Sequence, residues 1–206
     1  MAKELKERYF ELLQNLNAAV DPSAYWKEIE REHNGKGRHY HNLSHLENLF
    51  LVLDPIRNLF ADWDMIAAAV FYHDIVYNVR KKDNEEQSAI CAVERLKTWG
   101  VADDRIQHCK TIIIATKSHD LHKNPAVNLF TDADLAILGS TWKTYEAYFK
   151  AIRKEYKIYP KIMYNPARKK VLQYFLDMPT IYKTKHFQES LEENARLNIA
   201  KELSLL

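Results

Sequence analysis

The chain has 206 residues, of which 47% are hydrophobic and 28% are charged, a composition typical of folded globular proteins. Its formal net charge of +2 at pH 7 is too small to indicate a nucleic-acid partner. No apolar run approaches the roughly 20 residues of a membrane span, and the charged N-terminus lacks a signal-peptide pattern. We therefore expect a cytoplasmic protein with no membrane partner. Two cysteines, Cys91 and Cys109, lie in apolar helical patterns, which favours buried free thiols in a reducing compartment.

The first half of the chain predicts a series of helices. Glycine occurs four times and proline six times, which leaves few turn signals and disfavours an all-β fold. Apolar residues recur at helical spacing over residues 5–16. Asp21-Pro22 predicts a capped second helix, which ends at the Asn-Gly-Lys-Gly segment 34–37. Another helix is predicted to begin near Asn42.

The remaining segments have the same character. The stretch from Trp63 to Tyr77 is apolar nearly all round, which is typical of a helix at the centre of a fold. A helix over Glu85–Trp99 is followed by Gly100 as its terminating residue, and Asp103 or Asp104 is expected to cap the next helix. Four later helices are predicted over 133–138, 141–158, 166–177 and 187–205. Together these patterns predict an all-α fold, a single domain of about ten helices over residues 1–206.

The apolar central helix ends in the pair His73-Asp74. Burying such a charge without a partner would cost several kcal/mol, so something must compensate for it. A divalent metal ion would do so, and a hydrogen-bonded structural pair is the alternative.

Other potential ligands flank this pair in sequence. The segment Arg38–His45 holds three histidines, and His41 lies one helical turn before His45 if the helix already includes it. Downstream, Asp132 and Asp134 stand beside apolar residues. Imidazole and carboxylate ligands suit a catalytic divalent ion, whereas the lack of thiolates disfavours a structural zinc site.

A His, then a His-Asp pair, then an Asp in an Ala-Asp context resembles the signature of the HD superfamily, which consists of helical metal-dependent phosphohydrolases. The local strings are also similar to a bacterial subgroup of predicted HD phosphohydrolases, and the similarity covers most of the chain. The matching segments are Arg38–His45, Tyr72–Tyr77, Asn84-Glu85 with Ser88-Ala89, Asp132–Gly139 and Asn194–Leu203.

The resemblance implies a ligand set for one divalent ion, which could be Mn, Co, Ni, Mg, Zn or Fe. Asp134 is preferred over Asp132 because the superfamily ligand follows the small residue of the Ala-Asp pair. Asp132 has three alternative roles. It could replace Asp134 as the metal ligand, orient a ligand imidazole, or cap the N-terminus of helix 133–138. The implied metal ligands are His45, His73, Asp74 and Asp134.

The implied chemistry is hydrolysis by metal-activated water, with Asp74 at the reacting centre. His119 and Glu85 are candidates for handling the remaining proton. His119 is equally consistent with a solvated loop histidine, and Glu85 with an acid that the helix dipole favours.

A phosphorylated substrate needs cationic side chains, and four are candidates for binding it. Arg38 is the strongest because it lies beside the ligand segment, and arginine binds phosphate with two parallel hydrogen bonds. The run that includes Lys81 could also be a solvated loop. The four candidates are Arg38, Lys81, Arg153 and Arg168.

The sequence therefore predicts a phosphohydrolase acting on a small phosphorylated metabolite, with a nucleotide as the first class to consider. A di-iron oxygenase that uses His41 and His119 as extra ligands is one alternative, and a non-catalytic nucleotide-binding module is another. The residues after the pair, Ile75-Val76, lack the acids of the superfamily's (p)ppGpp hydrolases. A homo-oligomer is compatible with the sequence.

Overall fold

A computed structural model of the protein describes residues 2–206. Over these residues the chain forms ten α-helices, two short 3-10 helices and no β-strand, which confirms the predicted all-α class. Internal contacts divide the chain into two compact units, Met1–Thr131 and Asp132–Leu206. The single domain stays a prediction. No helix of the described part has the length and apolar character needed to cross a membrane.

The first unit is built around helix α4, which spans Trp63–Tyr72. Every residue from Met65 to Tyr72 is buried, and α4 is contacted on several sides by other helices of the unit. At its end the hydroxyls of Tyr9 and Tyr72 lie 2.7 Å apart, so both polar groups are satisfied inside the core. The other helices are α1 (Ala2–Asn15), α2 (Pro22–His33), α3 (Leu43–Leu53), α5 (Asn84–Thr98) and α6 (Asp103–Ala115), with a 3-10 helix over Asp54–Leu59.

Helix α4 ends at Tyr72, five residues before its predicted end at Tyr77. Side chains of α5 form hydrogen bonds with the backbone that follows. The amide of Val76 donates to Ser88 Oγ at 3.1 Å, and that hydroxyl donates back to the Val76 carbonyl. Asn78 and Asn84 form a second reciprocal pair, at 3.0 and 3.1 Å. These four hydrogen bonds replace helical bonds and hold the segment after His73-Asp74 against α5.

The predicted helix starts are partly confirmed. Asp21 caps α2 by accepting a hydrogen bond from the Ser23 amide at 2.9 Å, and Gly100 follows α5 with a φ of +75°. The cap expected from Asp103 or Asp104 is wrong. Ala102 occupies the N-cap position of α6, and the two aspartates lie in its first turn, where the helix dipole favours acids.

Helix α7 spans Pro125–Asp134, and it changes the interpretation of the acids there. The predicted helix over 133–138 is wrong, because α7 ends at Asp134 and a 3-10 helix follows over Ala136–Gly139. Asp132 therefore lies inside a helix and caps none. The second unit contains α8 (Trp142–Glu155), α9 (Lys161–Asp177) and α10 (Lys185–Leu205).

Candidate metal centre

His45 is fixed by the first turn of α3. The helix begins after Asn42, whose side chain accepts a hydrogen bond from the Ser44 amide at 2.9 Å. This cap sets the helical register, and Leu46, Leu49 and the neighbouring apolar residues then bury one face of α3. His45 lies on this buried side, with only 4% of its surface exposed.

His73 and Asp74 are positioned by the end of α4. His73 is the C-cap residue, and its amide still donates to Ala69 at 2.9 Å. Its ring Nδ1 lies 3.0 Å from the carbonyl oxygen of Val70. Because a carbonyl only accepts, Nδ1 must carry the proton, and the lone pair of the neutral ring is therefore on Nε2. Ligand histidines are commonly oriented by such a bond.

Three potential ligand atoms converge between these two elements. Nε2 of His45 and Nε2 of His73 lie 3.0 Å apart. Oδ2 of Asp74 lies 3.2 Å from His73 Nε2 and 3.6 Å from His45 Nε2. Among the described residues this is the group of three whose potential ligand atoms lie within 4.8 Å of one another.

These separations fit a single divalent ion. Ligand atoms about 2.1 Å from an ion, at angles between a right angle and the tetrahedral angle, lie roughly 3.0–3.4 Å from one another. The observed distances of 3.0, 3.2 and 3.6 Å fall at or near this range. Two imidazoles and one carboxylate also form the donor set of catalytic zinc and related sites. His45, His73 and Asp74 could thus hold a metal ion together.

The charge state of Asp74 suits this role. Burial by itself raises the pKa of the Asp74 carboxyl, but His73, His41 and His45 outweigh that effect when their rings are protonated. The pKa is held well below its usual range, so the carboxylate is charged at neutral pH.

Arg38 braces the backbone of the site. Its guanidinium donates to the carbonyl of Asp74 at 2.6 Å, of Ile75 at 2.8 Å and of His41 at 3.0 Å. It also lies over the ring of Tyr77, 5.3 Å from the centroid. These contacts connect the segment before α3 to the turn that holds Asp74. The sequence predicted a substrate-binding role for Arg38, which stays a prediction, and did not predict this bracing.

Three further residues near the site were missed by sequence reasoning. Ser88 and Asn84 anchor the segment after the ligand pair, although both lie in a string that carries the resemblance. His33, at the end of α2, is fully buried; its Nδ1 bonds to the Ile29 carbonyl, and its Nε2 has no partner among the described residues. Burial lowers the pKa of His33 to about 3, and the charge of Arg38 acts in the same direction. A single histidine in a helical pattern does not indicate that its side chain is buried or that its pKa is lowered.

Asp132 and Asp134 differ in their surroundings. Both oxygens of Asp132 are saturated: the carboxylate accepts from the amide and ammonium groups of Lys183, and from the amide and hydroxyl of Thr184, at 2.7–3.0 Å. It is fully buried, whereas Asp134 is partly exposed. The donors around Asp132 account for its charge without a metal. Asp134 as the fourth ligand stays a prediction.

The other site predictions fall on defined elements. His119 follows α6 and has a φ of +55°, a conformation that is uncommon outside glycine. Glu85 lies in the first turn of α5, and Lys81 is exposed in the preceding loop. Their roles in catalysis and in substrate binding stay predictions.

Two arginines proposed for substrate binding make structural contacts within the second unit. Arg153 donates to the carbonyls of Tyr156 and Tyr159 at 2.8 and 3.0 Å. Arg168 donates to both oxygens of the buried Glu202 at 2.8 and 2.9 Å. Both guanidinium groups therefore support the packing of this unit, whatever else they bind.

Comparisons with protein-family models, with curated proteins and with solved structures found no match to this chain. The function is therefore inferred from the geometry of the site and from the sequence motifs.

Proposed function

We propose that the protein is a metal-dependent phosphohydrolase that cleaves a phosphomonoester or phosphoanhydride bond of a small phosphorylated metabolite, with a nucleotide as the first class to test. The observation that carries this proposal is the convergence of His45 Nε2, His73 Nε2 and Asp74 Oδ2. The order of these residues along the chain, which resembles the HD superfamily, supports phosphoryl chemistry over other metal chemistry.

The chain's own residues prepare the site for a cation. Val70 holds the His73 ring in the tautomer whose Nε2 faces Asp74 and His45. Asp74 supplies the negative charge, and its depressed pKa keeps that charge at neutral pH. A divalent ion bound here would lower the pKa of coordinated water and draw charge from a phosphoryl oxygen.

Asp134 is proposed as the remaining protein ligand. Asp132, the competing candidate, has both oxygens saturated by Lys183 and Thr184. Recruiting it would leave the ammonium of Lys183, whose side chain is 5% exposed, without its partner. His119 and Glu85 are proposed as the groups that donate or accept a proton during turnover.

The test is phosphate release by the purified full chain from a panel of phosphorylated metabolites, with Mn²⁺, Co²⁺, Ni²⁺ or Mg²⁺. We expect turnover of at least one substrate, its loss with a chelator and its return when metal is restored. If the chain binds metal but hydrolyses no member of the panel, the proposed reaction is wrong and the proposed metal site stands. Absorption bands of a di-iron centre in the aerobically purified protein would favour the oxygenase.

A further inference from the structure

Helix α9 carries a row of exposed apolar side chains. Met163, Val171 and Tyr174 are 58%, 46% and 51% exposed. Together with Ala167 they recur at intervals of four, four and three residues, which places them on one face of the helix. Ile162, at the beginning of α9, is 83% exposed. Single exposed apolar residues are ordinary, but a row along one helix face marks an interaction surface.

The orientation of α9 is fixed by its other face. Tyr164 and Leu172 are buried, and Arg168 is bound to Glu202 of α10 through two hydrogen bonds. Rotating the helix to bury the exposed row would break this ion pair and expose Leu172. The apolar row is therefore a stable feature of the second unit.

Lysines surround this row, and acids are missing from it. The sequence has no aspartate or glutamate between Tyr156 and Leu176. Three exposed lysines lie on α9, one in the last turn of α8 and one between the two helices, and none of the five forms an ion pair within residues 2–206. They are Lys154, Lys157, Lys161, Lys169 and Lys170. We define these lysines, the apolar row and Ile162 as the α9 face.

We propose that the α9 face docks on an anionic lipid bilayer, with the helix axis in the plane of the surface. An anionic bilayer has an apolar acyl region beneath negatively charged headgroups. The apolar side chains of the α9 face would contact the acyl boundary, and the lysines would contact the headgroups. Lysine stems can lie along the acyl boundary while their ammonium groups reach the phosphates. The sequence predicted no membrane partner because no segment can span a bilayer, but a helix that lies on the surface needs no such segment.

Two other occupants fit less well. Pairing of two α9 faces about a two-fold axis would bring lysines of both copies together, with no acid between Tyr156 and Leu176 of either copy to offset them. A nucleic acid would satisfy the lysines and could stack a base on Tyr174, but it would leave Ile162, Met163 and Val171 uncovered, because none of these three has a ring for base stacking. An anionic bilayer satisfies both parts of the face.

The test is co-sedimentation of the full chain with vesicles of equal parts phosphatidylglycerol and phosphatidylcholine, compared with pure phosphatidylcholine. We expect binding to the anionic vesicles only, and weaker binding in 0.5 M NaCl. Since each lysine near the surface contributes about fivefold to binding, the variant Lys169→Glu/Lys170→Glu should weaken it by at least about 20-fold. Ile162→Glu/Met163→Glu should weaken it by at least about tenfold.

Matched variants elsewhere serve as controls. Lys97→Glu/Lys110→Glu changes the net charge equally, and Leu121→Glu replaces a side chain that is 77% exposed. Both should bind within about twofold of the wild type, because they lie off the α9 face. The proposal is overturned if anionic vesicles bind no protein, or if the controls weaken binding as much as the α9 variants do. Binding of single-stranded RNA, or self-association sensitive to Ile162→Glu/Met163→Glu, without vesicle binding would also overturn it.

Discussion

Asp74 and Asp132 are both largely shielded from solvent, and they differ in the kind of atom that faces their oxygens. Asp132 faces donors, since amide, ammonium and hydroxyl groups of Lys183 and Thr184 contact both of its oxygens. Asp74 Oδ2 instead faces the Nε2 atoms of His45 and His73. For His73 that nitrogen carries the lone pair, because Nδ1 holds the ring proton.

This contrast separates a structural carboxylate from a candidate metal ligand. A buried acid surrounded by donors is already satisfied, and a metal ion would have to displace those donors. Acceptor atoms that converge on one another need a proton or a cation among them. Glu202 belongs with Asp132, because it accepts from Tyr145 and Arg168 at 2.5–2.9 Å. Variants at these residues test the distinction between the two kinds of carboxylate.

Removal of a ligand imidazole should have the largest effect. If the protein has the proposed activity, His73→Ala should lower kcat/KM of the metal-loaded protein by more than about 100-fold, because loss of a ligand exceeds the effect of losing an outer-shell partner. The measurement is steady-state phosphate release, with circular dichroism to confirm folding. His186→Ala, at an exposed position of α10, is the control and should keep full activity. Equal activity of the two variants would remove His73 from the site.

Loss of the structural carboxylate should instead lower stability. Asp132→Ala leaves the ammonium of Lys183, with a side chain that is 5% exposed, without its partner. Removal of one member of a buried ion pair costs about 3–5 kcal/mol in free energy of unfolding. Urea denaturation measures this, and the exposed Asp177→Ala should change stability by less than about 0.5 kcal/mol. Similar losses for both variants would mean that Asp132 is not a buried structural anchor.

His33 provides a test by pH, because it is a buried polar group with only one of its nitrogens satisfied. Its pKa of about 3 in the folded protein lies below the unfolded value. Between these values the unfolded chain binds a proton that the folded chain does not, so stability falls as pH decreases from about 6.5. From pH 7.5 to pH 5 the wild type should lose about 2 kcal/mol more than His33→Leu. Parallel stability curves would show that His33 titrates normally.

Weakening the hydrogen bonds from Arg38 to the backbone should have the smallest effect, and that effect should be confined to metal affinity. Arg38→Lys keeps the charge but cannot reproduce the fork that reaches three carbonyls, so we expect metal affinity to fall by about tenfold. At saturating metal, KM should stay within about twofold of the wild type. Arg31→Lys, at an exposed ion pair with Glu32, is the control. A raised KM with unchanged metal affinity would instead support the substrate-binding role that the sequence predicted.

The sequence predicts those features whose causes are local. The cap at Asp21 and the buried character of α4 follow from neighbouring residues. The end of α4 was placed five residues too late because the capture of Val76 depends on Ser88, which lies twelve positions away. The partners of Asp132 lie some fifty residues away and leave no mark in the pattern around it. Such long-range pairs can be identified only when the fold is known.

Metal binding by the matched variants Asp74→Asn and Asp132→Asn distinguishes the candidate metal ligand from the structural carboxylate. Isothermal titration of the chelator-treated chain with Mn²⁺ or Co²⁺ should give one site in the wild type. We expect Asp74→Asn to weaken that site by at least about tenfold while the fold is kept, and Asp132→Asn to bind metal as the wild type does but to unfold more easily. Undiminished binding by Asp74→Asn, or loss of the site in a folded Asp132→Asn, would contradict the account.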